Sequence, residues 1–297
     1  MELEVIRHKT AKEFFEGFYP DEQVGSYAYQ LERMFEQGSA VEGDYFIVTD
    51  EEKPLLSLEI YRNNTRRLLE KMPMLVIGAE LNKKKYIKAL TLIFDYLSTD
   101  EIYGNAQKKL EIAIREDYEF HKELKTVINK FGYKTILKTI NYTIDPKIDY
   151  NLNVENHKIK KFIDYEIDDR YDLLLNSVNQ DIVSNLPAEK LYIDLLEEGY
   201  QSEELWETIF SNGKMIGYIL PIFKNGLRNS IEMIDYGLKS PDDLFYKIAV
   251  ARLIEIAKEN DIEDLAISIN GSDIEFINLA DKLKLSENYI IEKFIKV

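Results

Sequence analysis

Apolar residues recur along this chain with two periods, about two and about 3.6 residues, and each change of period marks an element boundary. Glu4 to Arg7 opens as a short strand. Thr10-Ala11-Lys12-Glu13 has the form of a capping box, in which the Thr hydroxyl and the Glu carboxylate meet free amides at a helix start. The spacing predicts a second helix over Glu22 to Glu36. Tyr45-Phe46-Ile47-Val48 and Leu55 to Tyr61, joined by the polar Asp50-Glu51-Glu52-Lys53, read as an antiparallel hairpin. Met74 to Ala79 is continuously apolar, as a central strand is. Tyr86, Leu90, Ile93 and Leu97 then fall on one helical face, and Leu110 to Ile114 is a strand. Phe120, Leu124, Val127, Ile128 and Phe131 mark another helix, which Gly132 ends. Thr135 to Ile144 is a long strand.

The second half repeats this order. Ile159 to Ile163 is a strand, and helices cover Arg170 to Asn176 and Ala188 to Glu197. Glu207 to Phe210 and Met215 to Leu220 flank Asn212-Gly213, the pair that a type I′ hairpin turn favours. Ile231 to Ile234 is a strand, and Phe245, Ile248, Ala249, Leu253, Ile256 and Ala257 share a helical face. Asp264 to Ile269 is a strand, Ser272-Asp273-Ile274-Glu275 is a capping box for a helix to about Leu283, and Asn288 to Val297 is the last strand. Corresponding elements lie roughly 155 positions apart, the kind of fixed offset that marks an internal repeat. The expected division is therefore 1–147 and 148–297, with Pro146 at the junction, because proline cannot continue a sheet interior. A length of 297 residues suits two such domains.

Charge narrows the partners. The formal net charge is -16, so a nucleic-acid partner, whose affinity comes from cations on phosphates, is not expected. Anionic membranes are disfavoured for the same reason, and no apolar run approaches the roughly 18 residues of a spanning helix. The first residues lack the basic and apolar regions of a signal peptide, and the chain has no cysteine, which together suit a reducing cytoplasm. No thiolate metal site, H-E-x-x-H or Walker loop is present. An acidic surface suits a cationic or amine substrate as well as plain solubility.

A strand, two helices, a hairpin, a strand, a helix, a strand, a helix and a strand, found twice, resembles the GNAT (Gcn5-related N-acetyltransferase) family. Tyr45 to Val48, Phe131-Gly132-Tyr133 and Ile231 to Ile234 resemble local phrases of its strands, and Asn270 stands where the family often carries an Asn after the fifth strand. The resemblance implies an α/β (α+β) fold: two tandem domains, each a mixed, mostly antiparallel sheet flanked by helices. It also implies acetyl-CoA, or another acyl-CoA, as cosubstrate. The pantetheine arm would lie between parted fourth and fifth strands, and the pyrophosphate would sit on amides at the next helix start, where free N–H groups favour an anion.

The family's loop there has the form Q/R-x-x-G-x-G/A, and both halves depart from it. In the first half, Ala79 and Glu80 lead into Leu81-Asn82-Lys83-Lys84-Lys85, with lysine ammonium groups where glycine amides would be. These residues, with Asn270, are the candidate cofactor contacts. In the second half, Ser240 caps, Pro241 fits the first turn, and Asp242 and Asp243 satisfy the helix dipole, so a pyrophosphate would be repelled. Glu80, at the end of the fourth strand beside a possible bulge at Gly78, is the candidate base for the amine. The place of the family's leaving-group Tyr holds Ile128 and Ala280, so Tyr118, with His121, is the substitute acid. Asp235 and Glu232 could meet a cationic substrate, and Tyr192, Tyr200, Trp206 and Tyr218 could line a pocket or pack a core. Two readings follow. One is an acyl-CoA-dependent N-acetyltransferase acting on a small-molecule or peptide amine, with the first half active. The other is a fold that has lost this chemistry and binds a metabolite or scaffolds a partner. Monomer and homodimer both remain open.

Overall fold

Two-residue turns set the registers from which the sheets grow. Strands β2 (Tyr45–Asp50) and β3 (Lys53–Arg62) close with Asp50 opposite Lys53, and β8 (Glu207–Ser211) and β9 (Lys214–Phe223) close with Ser211 opposite Lys214. The second turn holds Asn212 and Gly213 at φ 50° and 75°, as its sequence predicts. The first holds Glu51 and Glu52 at 53° and 65°, a conformation for which their side chains are poorly suited.

A computed structural model of the chain describes residues 1–5, 25, 28–29, 33, 36, 45–62, 69–77, 81–99, 109–154, 157–174, 202–224, 228–238 and 243–296. They fall into an N-terminal unit, Met1–Ile136 with Glu292–Val297, and a C-terminal unit, Leu137–Ile291.

In the N-terminal unit, β1 (Glu2–Val5) pairs antiparallel with β2, and β3 pairs antiparallel with β4 (Leu69–Ile77). Helix α1 (Lys83–Thr99), β5 (Lys109–Arg115) and α2 (His121–Lys130) follow, then β6 (Tyr133–Ile144), of which only the residues up to Ile136 belong to this unit. The strand order is β1-β2-β3-β4-β5-β12, where β12 is the last strand of the chain, Ser286–Lys296. Its end reaches the core, where Phe294 is fully buried with Phe46, Leu56, Tyr86, Leu90 and Phe94. In the 22–36 stretch, the described residues Gly25, Ala28, Tyr29, Arg33 and Glu36 are helical.

The C-terminal unit runs through β7 (His157–Lys161), α3 (Ile167–Leu174), β8, β9, β10 (Ser230–Leu238), α4 (Asp243–Glu259), β11 (Asp264–Asn270) and α5 (Ile274–Lys282). Its strand order is β7-β8-β9-β10-β11-β6, with Ile144 opposite Leu265 and Thr139 opposite Asn270. The core lies between the sheet and α4 and α5, with Phe245, Ile248, Ala249 and Leu253 against Ile219, Ile231 and Ile267. Gly217 is required there, since a Cβ would clash with both the Gly237 carbonyl and the Phe245 ring. The fold is thus mixed α/β, with β4–β5 and β10–β11 paired in parallel.

Several boundaries differ from expectation, and three of them have a clear physical reason. β1 starts at Glu2, because its partner β2 extends to Asp50 and gives it register from Thr49 down. β4 starts at Leu69, so the apolar run from Met74 is only its second part; polar Glu70 and Lys71 hide the first. The cap of α5 is Asp273, whose carboxylate accepts from the Phe276 amide at 3.2 Å, while Ser272 turns its hydroxyl to Asn270 instead. The Thr10 capping box and the Ala188 to Glu197 helix lie outside the described residues. Among those described, no helix is long and apolar enough to cross a membrane.

Candidate functional site

In each unit the fourth and fifth strands part, and a bulge stands at the point of parting. β4 and β5 pair from Leu69↔Lys109 to Met72↔Ile112, while β4 runs on to Ile77 against β3 alone. There Glu59 faces Met74 and Tyr61 faces Lys71, so Met72 and Pro73 together oppose Ile60. Pro73 has no N–H to lend a ladder, and a bulge is one of the few places a sheet accepts it. In the C-terminal unit, β10 and β11 pair from Ser230↔Asp264 to Met233↔Ile267, and Ile234 is the extra residue between Met233↔Pro221 and Asp235↔Leu220. Parallel strands that diverge at their carboxyl ends, each followed by a helix, leave a crevice faced by two helix N-termini.

What fills that crevice differs. In the C-terminal unit the protein fills it. Tyr236 of β10 and Tyr246 of α4, both fully buried, donate to the Asp273 carboxylate at 2.9 Å and at 2.8 and 3.0 Å. Burial and then the adjacent Asp273 charge raise the Tyr236 phenol well above its ordinary pKa, so it stays a donor. Tyr246 and Phe276 lie ring to ring at 4.6 Å, closing the space further. Asn270 serves this corner. Its side chain accepts from the Ser272 amide at 3.0 Å and hydroxyl at 2.8 Å, and so shapes the turn into α5. Asp243 is the first residue of α4; Ser240, Pro241 and Asp242 lie outside the described residues.

In the N-terminal unit, Tyr86 occupies the same place on α1 as Tyr246 on α4, the fourth residue of the helix. It stacks on Phe120 at 4.5 Å, and Tyr118 meets Phe120 edge-on at 6.1 Å. No carboxylate stands at the cap position of α2, which Phe120 holds without a side-chain cap bond; the acid of its first turn is Glu123. The Tyr86 and Tyr118 hydroxyls are buried and lie close enough to influence each other's ionisation, yet neither has a hydrogen-bond partner among the described residues. Burial pushes both phenols up, while Tyr86 draws Tyr118 partly back.

The start of α1 is capped by Asn82, whose side chain accepts from the Lys85 amide at 3.1 Å. No acid lies in its first turn. Two of its three lysines are nonetheless engaged: Lys83 with Glu123 at 3.0 Å and Lys85 with Asp50 at 3.0 Å. Lys85 holds the Asp50 carboxyl below its ordinary pKa, and Lys83 does the same to Glu123. Lys84 is exposed, and Leu81 packs half-buried against the core. Gly78, Ala79 and Glu80 lie outside the described residues.

The other candidates take structural places. His121 Nε2 lies 2.8 Å from Glu292, a buried carboxylate that also accepts from Lys125 at 2.8 and 2.9 Å. Trp206 and Tyr218 each meet Phe162 edge-on at 5.8 Å within the C-terminal unit's core. Tyr192 and Tyr200 lie outside the described residues. Glu232 accepts from Asn141 at 2.9 Å and Ser268 at 2.6 Å, in a polar row that Asn288 extends by donating to Asn141 at 3.2 Å. Asp235 is buried just past the bulge. Tyr86 was legible only as a core position of its helix. The signal that singles it out is the alignment of Lys85-Tyr86 with Phe245-Tyr246 at the head of equivalent helices.

Solved structures with this architecture cover nearly the whole chain. A GCN5-related N-acetyltransferase from Sphaerobacter thermophilus is 11% identical and superposes with a TM-score of 0.63 over 99% of this chain and 95% of that one. A GNAT-family acetyltransferase from Colwellia psychrerythraea is 10% identical over 100% of both chains, with a TM-score of 0.53. A tandem GNAT protein from the clavulanic acid biosynthesis pathway is 10% identical over 99% of this chain and 98% of that one, also with a TM-score of 0.53. No protein-family model and no curated protein matches the sequence.

Proposed function

We propose that this chain, which has the fold of the GCN5-related N-acetyltransferase (GNAT) superfamily, is an acyl-CoA-dependent N-acyltransferase that works from its N-terminal unit. The repeated element order further suggests that its two units descend from one duplicated module. The observation that carries the functional reading is the parting of β4 from β5 after Met72↔Ile112, at the foot of a helix with no acid in its first turn. The C-terminal unit has the same parting, but Tyr236, Asp273 and Tyr246 already occupy it.

The N-terminal residues fit an acyl-CoA in three respects. The free amides of Lys83 and Lys84 and the ammonium of Lys84 suit a phosphate. The strand parting suits an extended arm. The buried Tyr118 hydroxyl lacks a partner and stays protonated, so it can donate a proton to a departing thiolate. Acyl-CoA supplies the activated acyl group; the chain's task is to hold it and to move protons. Glu80, three residues beyond the last residue of β4 in the sequence, is proposed as the base for the amine, and Ala79 and Leu81 as neighbours of the acyl arm. The acceptor is a small-molecule or peptide amine.

The test is thiol release from acetyl-CoA in the presence of a panel of amines, with Tyr118→Phe beside the wild type. The reading predicts amine-dependent release that Tyr118→Phe lowers about 10²- to 10⁴-fold in kcat. No release with any amine, for acetyl-CoA and longer acyl-CoAs alike, overturns it. A second reading, a binding or scaffolding protein, draws support from the engagement of Lys83 and Lys85 by the protein's own carboxylates. It predicts acyl-CoA or partner binding without transfer.

A further inference from the structure

The two units pose the same three groups differently, and the difference identifies a missing atom. In the C-terminal unit, a carboxylate at the start of α5 accepts from the fourth residue of the preceding helix, Tyr246, from a second tyrosine, Tyr236, and from the Phe276 amide. In the N-terminal unit the donors recur without the acceptor. Tyr86 is the fourth residue of α1 and is fully buried, Tyr118 supplies the second hydroxyl, and the start of α2 lacks a side-chain cap. An aromatic ring lies against the equivalent tyrosine in both, Phe120 stacked on Tyr86 at 4.5 Å and Phe276 tilted against Tyr246 at 4.6 Å. The ring is kept and the cap-position carboxylate is not; the first-turn acid of α2, Glu123, pairs with Lys83 instead.

We infer that the Tyr86 and Tyr118 hydroxyls, with the N-terminus of α2, form a subsite for an acyl oxygen of a ligand, either a small carboxylate or the carbonyl of a thioester. Three observations converge on it. A fully buried hydroxyl with no partner is costly and rare, which points to an acceptor that arrives with something else. Two helix N-termini meet at the spot, since Lys83 of the first turn of α1 reaches Glu123 of the first turn of α2 at 3.0 Å. The C-terminal unit shows which chemistry fits such a place, because Asp273 supplies it. Glu123 would repel an anion here, but Lys83 offsets it, so charge does not choose between the two acyl oxygens. The subsite stands independently of whether acyl transfer occurs.

The test is a titration of the whole protein with sodium acetate at constant ionic strength, and separately with acetyl-CoA and with CoA. Binding is followed by tyrosine difference absorbance in wild type, Tyr86→Phe, Tyr118→Phe and Tyr246→Phe. Saturable signals are expected with acetate, with acetyl-CoA, or with both, weakened about two- to twelvefold by Tyr86→Phe and by Tyr118→Phe and unchanged by Tyr246→Phe. Acetate alone identifies a free-carboxylate site. Acetyl-CoA bound more tightly than CoA, by a margin that Tyr86→Phe removes, identifies a thioester site. If neither acetate nor acetyl-CoA gives a saturable signal, or if both tyrosine variants bind as the wild type does, the subsite is overturned. Failure of CoA and acetyl-CoA to bind while acetate does removes the transferase reading and leaves the subsite standing.

Discussion

Replacing one tyrosine by phenylalanine at equivalent helix positions should change stability in opposite directions. Tyr246→Phe removes a hydroxyl that donates to the Asp273 carboxylate at 2.8 Å. A hydrogen bond to a charged group contributes about 1.5–3 kcal/mol. Asp273 keeps Tyr236 and the Phe276 amide, so the loss belongs in the lower part of that range. Tyr86→Phe removes a buried hydroxyl with no partner, and leaves the ring stack on Phe120 intact. Leaving such a group unsatisfied costs about 1–3 kcal/mol, so its removal should stabilise the unliganded protein by about 1 kcal/mol. The expected gap between the variants is therefore about 2 kcal/mol or more, some 4–8 °C in Tm for units of this size. Trp206 is the single tryptophan and is buried in the C-terminal unit, so its fluorescence reads Tyr246→Phe in urea. Far-UV circular dichroism reads both. A Tyr86→Phe protein that loses 1 kcal/mol or more would refute the reasoning, because its hydroxyl would then have a partner.

Three further outcomes are expected. Glu51→Asn with Glu52→Gly should stabilise the β2–β3 turn by about 1–2 kcal/mol, because both residues sit at positive φ, where Asn-Gly fits; thermal unfolding checks this. Glu207→Gln should destabilise the C-terminal unit by about 3–5 kcal/mol in urea: this buried carboxylate accepts from Lys161 at 2.6 Å and from Arg252 at 2.8 and 2.9 Å, and raises the Arg252 pKa. The Asp50 and Glu123 pKa values are lowered by Lys85 and Lys83, so the stability these pairs add is present above the ordinary carboxylate pKa of about 4 and is lost as pH falls through the lowered values. Carboxyl NMR titration should find both midpoints below that value, and Asp50→Asn with Glu123→Gln should tighten CoA binding by freeing the lysines.

Most of the fold was legible because it is written in periodicity. The face of Tyr86, Leu90, Ile93 and Leu97 is buried as its 3.6-residue spacing predicts, and the Asn212-Gly213 turn has the backbone that its residue types favour. The first part of β4 was hidden because pairing with β3 and β5, and not apolar content, holds Glu70 and Lys71 in a strand. The exchange of closing strands could not be read either. Residues 137–144 belong to the C-terminal unit and 292–297 to the N-terminal one, and trading two strands leaves the element order unchanged. The start of α1 was legible as an element and less so in its ion pairs. The helix start at Asn82 to Lys85 is where it was expected, but the carboxylates that bind its lysines, Asp50 and Glu123, come from distant segments. A sequence shows that a tyrosine is on a buried face; it does not show that the hydroxyl ends there without a partner.

Acyl-CoA is proposed to enter the N-terminal crevice and not the C-terminal one. Hydrogen exchange with and without saturating acetyl-CoA tests this directly, because each crevice lies at the head of its own helix. Protection is expected in peptides covering the start of α1 and the entry to α2, with residues 243–259 and the Asp273 turn unchanged. Protection confined to the C-terminal helix, or absent from both, contradicts it.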